Sequence, residues 1–101
     1  MKIRINETFI FKETISFSIF NKKIVNLEID PNESIFNLKK RILEKYKLSD
    51  HPELFKIIYK NREIDDSKRI RDLDIKENTT LHIICRDAKK LDEILRNKGL
   101  L

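Results

Sequence analysis

The stretch from Asp30 to Lys47, Asp-Pro-Asn-Glu-Ser followed by Ile-Phe-Asn-Leu-Lys-Lys-Arg-Ile-Leu-Glu-Lys-Tyr-Lys, constrains the fold of this chain more than any other. Ile35, Leu38, Ile42 and Tyr46 recur at intervals of three and four, the period of one helical face. Lys39, Lys40, Arg41, Glu44 and Lys45 fill the remaining positions and can face water. Pro31 cannot continue a strand's hydrogen bonding, and Ser34 is suited to cap a helix that starts at Ile35. No other strongly amphipathic helix has strand patterns on both sides, so the rest of the chain must supply the sheet that covers this face.

Those strand patterns are legible as alternation. Ile15, Phe17 and Ile19 alternate with Ser16 and Ser18, and Val25, Leu27 and Ile29 with Asn26 and Glu28. Asn21-Lys22-Lys23 between them reads as a hairpin turn. Residues 1–13 carry Ile3, Ile5 and Phe9-Ile10-Phe11 and read as an N-terminal extension, either an arm or an extra strand at a sheet edge. After the helix, Leu48 to Pro52 is a loop and Phe55, Ile57 and Tyr59 mark a third strand. Lys60-Asn61 is a tight turn in which Asn61 can take the left-handed conformation. A short fourth segment begins at Ile64, and Asp65 to Ile75 is a loop pinned by Ile70, Leu73 and Ile75. Thr79 to Arg86 is the last strand, with Leu81, Ile83 and Cys85 on one face. Beyond it Leu91, Ile94 and Leu95 form the stripe of a second helix, with Asp87 as its cap and Gly99 at its end. The order is ββαββ, an α+β layer architecture over residues 14–86, followed by a helical C-terminal extension over residues 87–101.

At 101 residues the chain makes one domain with a modest core. Its net charge of +5 and pI of about 9.4 favour an acidic partner without specifying one, and the acidic residues are interleaved with the basic ones, as on a solvated surface. The single cysteine, Cys85, excludes an internal disulfide, and with only His51 and His82 beside it no zinc cluster is expected. Cys85 lies on the inward face and reads as a small core residue. No cofactor is expected. Neither a membrane-spanning apolar run nor a signal-peptide core is present, so the expected location is cytoplasm or nucleus, with no membrane partner. His82 lacks a nucleophile or an orienting carboxylate at a recognisable spacing, so catalysis is not expected. Lys39-Lys40-Arg41, and Lys68-Arg69 with Arg71, lack the glycine-rich loop, aromatic stacking pair or reading helix of a nucleic-acid module, and nucleic acid is not expected as a partner. With Phe55, Ile57 and Tyr59 inward, Ile58 points out; with Leu81 and Ile83 inward, His82 and Ile84 point out. An apolar residue facing water on each of two strands is a candidate contact surface.

Leu27-Glu28-Ile29-Asp30-Pro31-Asn32-Glu33-Ser34-Ile35-Phe36-Asn37-Leu38-Lys39 resembles the second strand and helix start of the ubiquitin-like, β-grasp domain family. Ile70 to Ile75 and Glu77 to Arg86 resemble its last turn and last strand, so that the likeness runs from about Thr14 to Arg86. The resemblance implies a mixed sheet packed on one helix, with the first and last strands parallel at its centre. It implies a semi-buried ion pair between Lys39 and Asp66, and a core that includes Ile15, Phe17, Val25, Leu27, Ile29, Ile57, Ile64 and Ile75. It further implies a protein-binding patch of Ile58, His82 and Ile84, with Phe20 near the hairpin tip and Lys56, Arg62 and Arg86 as a basic rim.

The chain departs from the family in four places. Lys47 stands where the family ends its helix with glycine, which implies a different exit. Leu73 replaces a tyrosine that ties down the last turn, which implies a looser loop. Glu77 and Arg62 replace the two lysines most used for chain building. The family's di-glycine tail is replaced by Asp87-Ala88-Lys89-Lys90. The function implied is that of a non-catalytic interaction module, an adaptor in ubiquitin–proteasome or related pathways. Its expected partners are ubiquitin-binding-type helices or domains, including proteasome or segregase components. Two alternatives are a conjugated modifier processed at Gly99 and an RNA- or splicing-associated domain, the latter supported by the pI alone.

Overall fold

The computed structural model describes residues 1–11 and 19–100, with residues 8–11 and 19–23 described by their backbone alone. A mixed five-stranded sheet carries two helices: β1 (Lys2–Phe11), β2 (Ile19–Glu28), α1 (Ile35–Glu44), β3 (Phe55–Tyr59), β4 (Arg62–Glu63), β5 (Thr80–Cys85) and α2 (Ala88–Asn97). The strand order is β2-β1-β5-β3-β4, with β1 parallel to β5 and the other neighbours antiparallel.

The first strand is not where the serine-rich alternation points. Ile3 and Ile5 are fully buried, and β1 pairs on one side with β5, from Arg4↔Thr80 to Thr8↔Ile84. On its other side it pairs with β2, from Lys2↔Glu28 to Phe11↔Ile19. The residues read as an arm or edge strand therefore occupy the interior of the sheet, where two isoleucines can each cover α1. Asn21-Lys22-Lys23 is not a turn but continues β2 opposite Phe9, Thr8 and Glu7. Because β2 is an edge strand, such polar residues are accommodated, and lysine there discourages pairing with other chains. Ile15 and Phe17, expected in the first strand, lie outside the described residues.

Helix α1 begins as its cap predicts, with the Asn37 N–H donating to Ser34 Oγ at 3.0 Å. Ile35, Leu38, Ile42 and Leu43 are buried against Ile29, Ile57, Ile70, Leu81 and Ile83. Each such side chain contributes about 1.5–3 kcal/mol on full burial. The helix exit keeps the geometry expected of glycine although a lysine occupies it. Lys47 has φ 59°, its N–H donates to the Glu44 carbonyl and that of Leu48 to the Leu43 carbonyl, both at 3.0 Å. This is the Schellman pattern, closed by the buried side chain of Leu48. The expectation of a different exit is thereby corrected: the anchoring of Leu48 outweighs the left-handed strain at Lys47.

Helix α2 ends in the same way, with Gly99 at φ 73° and Leu100 N–H donating to Leu95 O at 2.8 Å. At its start the Asp87 side chain accepts from Lys90 N–H at 3.1 Å. Leu91 and Leu95 join the common core. The Lys98 ammonium donates to Lys47 O at 2.8 Å and to Asp50 Oδ1 at 2.7 Å, tying α2 to the exit of α1. Both helices thus sit on one side of the sheet.

Candidate binding face on the outer sheet surface

Alternation along β1, β3 and β5 turns Ile3, Ile5, Ile57, Leu81 and Ile83 toward the helices. The same alternation leaves Ile58, His82 and Ile84 on the opposite face, with His82 exposed and both isoleucines half-buried. The register sets these three together: His82 lies beside Ile58, and Ile84 beside Lys56. Lys56 is half-buried and Arg62, next to the β3–β4 turn, is exposed. Lys60 and Asn61, at φ 51° and 64°, form that two-residue turn. Positive φ at both positions matches the twist of the strands it joins.

Arg86 is exposed but not a free cation. Its guanidinium makes two hydrogen bonds to the Glu63 carboxylate, one at 3.0 Å from Nη1 to Oε1 and a second from Nη2 to Oε2. This pairing holds the Glu63 carboxyl below its ordinary range and raises Arg86 above its own. Lys56 and Arg62 carry no ion pair among the described residues. Phe20 lies in β2 opposite Ile10, and its side chain is outside the described residues.

Lys39 reaches inward despite its place among the charged positions of α1. Its ammonium lies 2.8 Å from Asp66 Oδ1 and donates to the Phe55 carbonyl at 3.1 Å. Cys85 is half-buried, and burial pushes its thiol up, away from the nucleophilic thiolate.

Two features escaped the sequence reading. Glu7, which continues the inward parity of Ile3 and Ile5, is a fully buried carboxylate. It meets the Lys45 ammonium at 2.5 Å and accepts from the Tyr46 hydroxyl, whose own pKa is raised by burial and by that carboxylate. The second is Ile24, which is 59% exposed. It was hidden beside two lysines, yet placing Val25 and Leu27 inward already required Ile24 to point out.

The family model for the ubiquitin family matches residues 14–88. This chain belongs to the ubiquitin family. The matched residues begin after β1, so the strand that this ubiquitin-like domain places beside β5 lies outside the matched stretch. Ubiquitin-like domains generally bind proteins and are generally non-enzymatic. A face that carries the half-buried Ile58 and Ile84 and the exposed Ile24, left open by both helices, has the chemistry for such binding.

Proposed function

We propose that this ubiquitin-family protein is a non-catalytic adaptor of the cytoplasm or nucleus, acting in ubiquitin–proteasome or related pathways. It holds partner proteins non-covalently through Ile58, His82 and Ile84, with Lys56 and Arg62 as basic neighbours. The observation that carries this reading is the placement of those three side chains on adjacent strands, on the face that neither α1 nor α2 covers. The fold of the residues after β5 supports non-covalent action. They turn back into α2, and Gly99 is held in the hydrogen-bonded end of that helix instead of in an extended segment. Partners of matching chemistry are helices or small domains that bind ubiquitin-like folds, proteasome and segregase components among them.

A tagged capture comparing wild type with Ile58→Ala tests the reading. The variant should lose the captured partners, with affinity falling about tenfold, while its melting temperature stays close to wild type. Retention of every partner, or unfolding of the variant, would overturn it.

A further inference from the structure

The register extends the outer face beyond the three residues of the preceding reading, on which this inference rests. Ile58 pairs with His82, His82 with Asn6, and Asn6 with Ile24, so one straight row crosses β3, β5, β1 and β2. Ile24 closes that row and is the most exposed of the large hydrophobic side chains in the described residues, at 59%. Asn6, between the two apolar ends, is itself buried. The row is therefore a track across four strands with an isoleucine at each end.

We propose that Ile24 is a second anchor of the binding face and that the track takes an acidic amphipathic helix lying across the strands. Its length follows from the sheet. Neighbouring strands are about 4.8 Å apart, so three strand steps separate Ile24 from Ile58 by about 14–15 Å. A helix rises about 1.5 Å per residue, so the span corresponds to about 10 residues, and the nearest spacing that returns to one face, i and i+11, rises about 16.5 Å and reaches both isoleucines. An extended peptide crossing the track would leave its own backbone groups unpaired, because the backbone of the sheet interior is consumed in the ladder, whereas a helix satisfies its own.

Charge selects the flanks of the partner. Arg4 stands one position from Asn6 on the outward parity of β1, and Lys56 stands beside Ile84; neither has an ion pair among the described residues. The acid one strand beyond the row, Glu63 opposite Ile58, is taken up by Arg86. A helix carrying carboxylates beside its apolar stripe therefore meets the positive charge of Arg4 and of Lys56, the latter only partly answered by Glu63.

The test uses the full chain and a synthetic 18-residue helical peptide of alanine and glutamate, with leucine at positions i, i+4, i+7 and i+11. Amide shifts should appear at Asn6 and Ile24 as well as at Ile58, His82 and Ile84. Ile24→Asn should weaken binding about tenfold. Replacing the outer leucine of the peptide by serine should give a similar loss, and the two changes together should cost no more than either alone. Ile24→Thr, which suits an edge strand, serves in place of Ile24→Asn should the latter melt early. Shifts confined to Ile58, His82 and Ile84, with either Ile24 variant binding like wild type, would overturn the extended track and leave the binding face standing. Absence of shifts at both ends would overturn both.

Discussion

The Lys45 ammonium lies 2.5 Å from the carboxylate of Glu7, and the two side chains differ sharply in exposure, 43% for Lys45 and 0% for Glu7. Removing either partner is therefore not equivalent. Lys45→Met strands a buried carboxylate without its cation and should cost about 3 kcal/mol or more. Glu7→Met leaves a lysine that can swing into water and should cost less than half as much. Urea unfolding of the two variants checks the order, and a larger loss for Glu7→Met would contradict it.

Lys47 holds the left-handed conformation at φ 59° without being glycine. That conformation costs an L-residue about 1–2 kcal/mol, of which the greater freedom of glycine in the unfolded chain takes back about 0.5–1 kcal/mol. Lys47→Gly should therefore stabilise the protein by about 0.5–1 kcal/mol, raising the melting temperature without altering partner binding. The carbonyl that accepts from Lys98 is retained in the variant.

The docking of α2 is a core interaction, since Leu91 is fully buried in the same cluster as Ile57. Leu91→Ala should cost about 2–5 kcal/mol, the range also expected for Ile57→Ala. Thermal unfolding should show a single shifted transition. Loss of helical signal at an unchanged main transition would mean that α2 is only loosely held.

Acid should act partly through Glu63. Its carboxyl is lowered from an ordinary value of 4.5 by Arg86. A folded-state value below the unfolded one contributes stability that is complete above 4.5 and is lost as pH falls through the lower folded value. Both side chains are well exposed, so the effect is modest and salt-sensitive. Arg86→Ala should lower the melting temperature slightly at neutral pH and make no difference well below pH 4.5. Melting curves across that range, at low and high salt, check both signs.

Local pattern by itself determined much of this protein. The stripe Ile35, Leu38 and Ile42, with the cap at Ser34, specifies α1, and Leu91 with Leu95 between Asp87 and Gly99 specifies α2. Those signals are legible because helix periodicity and caps involve residues within a few positions of one another. The orientation of Ile58, His82 and Ile84 was legible for the same reason, from strand alternation alone. Which strand sits inside the sheet was decided only by tertiary structure. Ile3 with Ile5 and Ile15 with Phe17 carry the same alternation, and the choice rests on Ile5 pairing with Leu81 near the other end of the chain. The burial of Glu7 was likewise invisible, and the inward turn of Lys39 toward Asp66 was reached only through the family resemblance, because a charge is tolerated inside only by partners that folding brings from other elements. The row joining Ile24 to Ile58 and the neutralisation of Arg86 by Glu63 have the same origin: both follow from the register between strands distant in sequence, which cross-strand hydrogen bonding and burial set together.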